Sequence, residues 1–266
     1  MRNIFSLLSI LAVVTSVIAA DNLPIAPVSP PPPASKPATA SIHGQINVNL
    51  GLDLQRPDLS RAVIYLASDP ALDALPLPED RPEVSQQNKQ FVPNFLVVPR
   101  GTEVEFPNRD HFDHNVFSRS KAAPAFDLDR YPFGSSKSRK FDKTGLVQVF
   151  CNIHPSMRAF IFVTPNRFFT RADSQGRFEL TGVPPGHYEL IAWHERCEEK
   201  HQPIDISAAA VETTMALEAS RENIIANAPP DRRAAYGVER GLGVKREHLN
   251  LPVVAESHPA PKENKP

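Results

Sequence analysis

Cys151-Asn152-Ile153-His154-Pro155-Ser156-Met157 gathers a thiol, an imidazole and a thioether on one short loop, and His114 offers a second imidazole from upstream. Soft sulfur suits Cu(I) and imidazole suits Cu(II); one thiolate, two imidazoles and a weak thioether form the ligand set of a blue-copper electron-transfer site. His114, Cys151, His154 and Met157 are therefore expected to hold a copper ion, with Met157 as the weak axial ligand that helps set the potential. Two other readings stand beside this one. Cys151 and Cys197 are the only cysteines, an even count that fits a disulfide in an oxidising compartment. Zinc would accept Cys and His, but Met is a poor zinc ligand, and such sites are usually completed by further thiolate, imidazole or carboxylate. Neither accounts for the spacing of all four groups.

The elements around the loop must aim both sulfurs inward, and side chains that alternate with period two do so. In Leu146-Val147-Gln148-Val149-Phe150-Cys151 the cysteine shares a face with Val147 and Val149. After the loop, Met157 shares a face with Ala159, Ile161 and Val163, while Phe160 and Phe162 occupy the other side, as in a strand buried on both faces. His154 falls at the turn beside Ile153 and Pro155, so its ring edge is expected to reach a small apolar patch and to be the electron exit. Hydrophobic content is 41%, Gly and Pro number 11 and 28, and no long amphipathic helical pattern precedes the C-terminal tail, which predicts an all-β body.

These residues resemble the cupredoxin family, and within it most closely the amicyanins, which share the Cys-x-x-His-Pro-x-Met spacing. His114-Asn115-Val116 also fits, as do Phe91-Val92-Pro93, Val98-Pro99-Arg100-Gly101-Thr102 and Val104-Glu105-Phe106-Pro107-Asn108, which leads into Asp110 and His114. The resemblance covers residues 83 to 164 and implies a Greek-key β-sandwich carrying one type 1 copper, with His114, Cys151, His154 and Met157 as ligands. It further implies that Asn115 stands behind the ligands and ties the two ligand loops together, as groups that orient metal ligands do. It also implies an electron carrier that transforms no substrate, with redox partners such as a periplasmic dehydrogenase and a c-type cytochrome.

Downstream, Asp173-Ser174-Gln175-Gly176 and Pro184-Pro185-Gly186 are turn signals that delimit strands Arg177 to Leu180 and Tyr188 to Trp193. Gly-x-Phe followed by Val-Pro-Pro-Gly-x-Tyr resembles the carboxypeptidase regulatory-like, or transthyretin-like, β-sandwich. Ile42-His43-Gly44-Gln45-Ile46 and Ala62-Val63-Ile64-Tyr65-Leu66 look like its opening strands. The expected architecture is a Greek-key cupredoxin sandwich (83 to 164) inserted into a second small β-sandwich made of residues 41 to 75 and 166 to 218, since insertions are tolerated at surface loops with neighbouring ends. Val211, Thr213, Met215 and Leu217 alternate as its last strand, although Ser207 before Ala208, Ala209 and Ala210 also reads as a capped helix start.

Residues 1 to 20, with Arg2 before the apolar stretch Ile4 to Ala20, read as a secretory signal leading to a periplasmic location. Only if that segment is left uncleaved would it engage a membrane, its length approaching a spanning helix. Residues 21 to 40, with Pro30 to Pro33, read as an extended proline-rich linker, and residues 219 to 266 as a partly disordered tail with a short helix near Asp231 to Tyr236. A net charge of −1 suggests neither nucleic acid nor an anionic membrane as partner. Locally, Arg119, Lys121, Arg130, Lys137, Arg139 and Lys140 stand against Asp127 and Asp129, either to steer an acidic redox partner or as an ordinary solvated loop. Trp193-His194-Glu195 with Cys197 and His201 is read as a strand end and polar loop in preference to a second metal site. Beside electron transfer, copper storage or delivery and a structural or binding module in a periplasmic complex remain open.

Overall fold

A computed structural model describes residues 39–49, 57–120, 123–207 and 210–227. The signal segment, the proline-rich linker as far as residue 38, Lys121, Ala208 and the helix expected near Asp231 lie outside the described residues, and Ala40, expected to end the linker, already belongs to the first strand. Among the described residues the chain is nearly all β. Its strands are β1 (Ala40–Asn49), β2 (Val63–Leu66), β3 (Ser85–Gln87), β4 (Gln90–Val92), β5 (Phe95–Pro99), β6 (Thr102–Pro107), β7 (His114–Ser118) and β8 (Phe126–Tyr131). They continue as β9 (Ser136–Phe141), β10 (Gly145–Phe150), β11 (Arg158–Thr164), β12 (Phe169–Arg171), β13 (Arg177–Val183), β14 (Gly186–Trp193), β15 (Lys200–Ile206) and β16 (Val211–Glu218). Two short helices accompany them, α1 (Pro70–Asp73) and α2 (Arg221–Asn227).

The outer segments of the chain pair with each other. β1 lies between β13, antiparallel, and β16, parallel. The facing sheet has the order β12-β2-β14-β15, all antiparallel. Alternation sends Ile42, Ile46, Ile64, Leu66, Leu180, Leu190, Ile206, Met215 and Leu217 into one core between the two sheets. Val211 to Glu218 is a strand, as its alternation predicts. Gly44 in β1 admits no side chain, because a Cβ there would meet the Thr213 carbonyl oxygen at 2.3 Å and the Phe178 ring at 2.6 Å.

Residues 84 to 163 build the other sandwich. Its five-stranded sheet runs β5-β11-β10-β7-β8, with β5 and β11 parallel; the β3–β4 and β6–β9 pairs lie opposite, joined by the bridges Glu83 to Glu105 and Gln86 to Asn108. The register Val149 to Ala159 and Val147 to Ile161 puts one face of β10 and β11 into the core with Val104, Phe106, Phe141, Cys151 and Met157. The alternation read for both strands is the one observed.

The reverse face of that sheet is covered as well. Phe95, Val97, Phe160 and Phe162 meet Val63, Tyr65, Ile191 and Trp193 from the outer face of β2 and β14, forming a third apolar cluster between the sandwiches. Phe162 and Trp193 ring centres are 4.3 Å apart, and Phe95 stacks on Trp193 at 6.1 Å. Guanidinium groups edge this seam: Arg61 lies over Phe95 and Phe160, Arg158 over Phe160 and Arg171 over Phe95. Arg61 also pairs with Glu195 at 2.6 Å. Where the chain crosses between sandwiches, Asp73 of α1 accepts hydrogen bonds from Asn166 at 3.1 Å and Arg100 at 3.1 Å.

The first residues of the tail are ordered by a cap and two amide contacts. Ile224 N–H bonds the Ser220 carbonyl at 2.9 Å to open α2, and Asn227 at its end accepts from Gln148 of β10 at 3.0 Å while donating to the Glu195 carbonyl at 2.8 Å. A polar, charged stretch reads as tail because these partners are far off in sequence.

Candidate metal centre

Two loops of the sandwich built by residues 84 to 163 supply the site. His114 opens β7, and Cys151 ends the strand run of β10, just before a turn closed by the Met157 N–H on the His154 carbonyl at 2.9 Å. Asn115 joins the loops: its Oδ1 accepts the Asn152 N–H at 2.6 Å and its Nδ2 donates to Asp127 at 3.1 Å.

His114, Cys151 and His154 bring their donor atoms within 4.8 Å of one another. His114 Nδ1 lies 3.1 Å from His154 Nδ1 and 3.8 Å from Cys151 Sγ. Imidazole nitrogens bound at about 2.0 Å to one ion and splayed by about 100° stand about 3.1 Å apart, so the two histidines already have the spacing of ligands to a shared ion. His114, Cys151 and Met157 are fully buried, and His154 is half-buried at the surface. Met157 belongs to the same core as Cys151, below the His154 turn. Two imidazoles and a thiol whose donor atoms converge, with a buried thioether in the same core, fit copper, and the described residues hold no other group of three His, Cys, Asp or Glu side chains arranged for a metal.

Sequence reasoning passed over Asp110 in the turn before β7. Its Oδ2 lies 2.8 Å from His114 Nε2, and the carboxylate also accepts the N–H groups of Asn88 at 2.7 Å and Lys89 at 2.8 Å. Burial works against ionisation of Asp110, but the Lys89, His114 and Asn88 donors outweigh it and hold its pKa below the ordinary carboxylate value. A His114 ring that keeps its proton on Nε2 and donates it in a hydrogen bond to this carboxylate carries its lone pair on Nδ1, on the side of His154 and Cys151. The spacing of Asp110 four residues before His114 was the available signal.

At the surface Phe112 covers the ligand histidines, with ring centres 5.1 Å from His114 and 5.4 Å from His154. Phe112 is itself exposed and carries Lys89 over its ring at 5.3 Å. Phe112 is thus an exposed aromatic ring beside His154, which sequence reasoning sets beside Ile153 and Pro155. Burial, followed by the nearby His114 and Lys89, lowers the His154 pKa, which favours the neutral ring a metal requires.

Cys151 and Cys197 are both free and buried, so the disulfide reading is not realised. Cys197 lies in the other core beside His194 at 3.8 Å, and burial raises its pKa to about 12. His201 pairs with Glu189 and Glu199, apart from that couple. Of the basic stretch, Lys137 sits over Tyr131 and Arg139 over Phe126 on the β8–β9 side, half-buried.

Comparison with known proteins gives the site its context. Residues 80–164 match the family model of copper binding proteins of the plastocyanin/azurin family, and residues 164–214 match that of polysaccharide lyase family 4, domain II. No relative was found among curated protein sequences. Among solved structures, a purple cupredoxin from Nitrosopumilus maritimus is 20% identical, with 31% of this chain and 99% of that chain covered and a TM-score of 0.28. Amicyanin from Paracoccus versutus is 23% identical, with 38% and 96% covered and a TM-score of 0.30. A copper-containing nitrite reductase from Thermus scotoductus is 28% identical, with 37% of this chain and 27% of that chain covered and a TM-score of 0.31.

Proposed function

From the premise that residues 80–164 form a cupredoxin domain, we propose that the chain is an exported type 1 copper protein that passes single electrons between periplasmic redox partners. The observation that carries this is the convergence of His114 Nδ1, His154 Nδ1 and Cys151 Sγ, with Met157 buried in the same core as Cys151. Copper bound there supplies a one-electron couple. The chain's own part is to keep the donors in one arrangement: the Asn115 tie and the His154 turn fix the loops, and the core under Cys151 and Met157 excludes water. Electrons leave through the half-buried His154 edge beside exposed Phe112, whose ring centre lies 5.4 Å away. A dehydrogenase as donor and a c-type cytochrome as acceptor fit such a face. Lys137 and Arg139 steer an acidic partner toward it, so reversing both charges slows reduction and flattens its salt dependence. Storage or delivery would call for an exposed, exchangeable ion, whereas three of the four proposed ligands are fully buried.

Loading the mature protein with Cu(II) tests this directly by visible absorption and electron paramagnetic resonance, with Cys151→Ala as control. An intense thiolate-to-copper band with narrow copper hyperfine splitting, absent in the control, is the expected result. A colourless protein, or one that gives up Cu(I) rapidly to a chelator while showing no reversible voltammetry, overturns the electron-carrier assignment.

A further inference from the structure

We propose that Asp110 is a positioning residue for the copper: its carboxylate fixes the Nε2–H of His114 and sets a permanent negative charge behind that imidazole, which lowers the reduction potential of the site. This rests on the copper reading above and adds to it a residue that sets the value of the couple.

The arrangement is built from three directions. His114 has no exposed surface and Asp110 is 7% exposed, so their 2.8 Å contact is shielded from solvent. Asn88 and Lys89, the two residues that turn β3 into β4, both have φ of 55°, a conformation unfavourable for lysine, and both aim their N–H groups at the carboxylate. From behind, Asn108 accepts the Asp110 N–H at 3.0 Å and donates to the carbonyls of Phe112 and Tyr131 at 2.9 and 3.0 Å. The carboxylate is thus held against His114 by two backbone donors and by the Asn108 side chain behind it.

The consequence follows from charge. A ligand imidazole whose far nitrogen donates to a carboxylate is a stronger base and is fixed in one tautomer. The negative charge interacts more favourably with Cu(II) than with Cu(I), and the low-dielectric surroundings leave that difference weakly screened. A plain structural role, in which Asp110 only anchors the β3–β4 turn, would leave the couple untouched.

Asp110→Asn keeps the shape and an acceptor oxygen while removing the charge. Protein-film voltammetry of the copper-loaded variant is expected to show a tenfold shift of relative affinity toward Cu(I), which for one electron is a potential 59 mV higher. A variant with the wild-type thiolate band and an unchanged potential overturns the proposal, and a lowered melting temperature without a potential shift assigns Asp110 to the turn alone. Should Asp110→Asn not fold, nitrogen–proton correlation spectra of the wild-type protein decide, metal-free and with diamagnetic Cu(I). His114 must then carry an exchange-protected proton on Nε2, and a bare Nε2 or solvent-rate exchange removes the dyad. If the wild type shows no thiolate band, it is the copper assignment that fails, and the ring-proton measurement still reports on the dyad.

Discussion

Asn115 holds together the two loops on which the site depends, through one hydrogen bond that its Oδ1 accepts from the Asn152 N–H. Asn115→Ala leaves that amide without its partner in a partly buried position, and a loss of about 1–2 kcal/mol is expected from urea unfolding of the metal-free protein. The thiolate band should survive while copper release quickens, since the ligands remain but are no longer held together; unchanged stability and unchanged release would show that the tie is idle. The four candidate ligands were legible because their chemistry is unusual and three of them are close in sequence. Asp110 was not, because a carboxylate in a polar turn reads as solvated until the histidine four residues later is found folded back over it. Phe112 was missed for the same reason, its apolar role depending on neighbours that the fold alone supplies.

Strands were legible as elements and illegible as pairings. Period-two alternation gave β10, β11 and β16, and turn signals delimited β13 and β14, but that β1 runs parallel to β16 and antiparallel to β13 leaves no local trace. Gly44 is where that pairing is tightest. Gly44→Ala would drive a methyl group into the Thr213 carbonyl and the Phe178 ring, and a destabilisation of about 1–3 kcal/mol or more is expected by chemical denaturation. At the crossing, α1 brings Asp73 to Asn166 and Arg100. Burial opposes ionisation of Asp73, but hydrogen bonds from Ser68, Asn166 and the Asp69 N–H, together with the Arg100 charge, lower its pKa below the ordinary value. A depressed carboxylate stabilises the fold above its unfolded pKa of about 3.9 and loses that contribution as pH falls through the lower folded value. Asp73→Asn should therefore lower stability at pH 7 and flatten its decline below about pH 4, as read by urea midpoints across that range. A variant with the wild-type pH profile would remove Asp73 from the acid response.

Across the whole molecule the two sandwiches are joined by a packed aromatic seam, with none of the looseness of a flexible linker. Phe160 and Phe162 already indicated a strand covered on both faces; what covers them, Tyr65 and Trp193 from the other sandwich, needed the structure. Trp193→Ala empties the centre of that seam, against Phe95 and Phe162, and is expected to cost about 3–5 kcal/mol in global stability. Because Trp193 belongs to a different cluster from Cys151 and Met157, the absorption of the copper-loaded folded fraction should not move. A spectral shift would mean that the seam reaches the ligands.

The hydrogen bond from the Leu66 N–H to the Phe168 carbonyl, 3.0 Å long, makes neighbours of the two residues between which the copper-type sandwich leaves and rejoins the chain. In evolutionary terms such a gate would let a whole inserted sandwich be acquired, lost or exchanged as a cassette, since the host sheet meets the same two ends whatever lies between them. The aromatic seam is the toll on that traffic: any replacement must arrive with an apolar outer face of its own, or leave Tyr65 and Trp193 open to water.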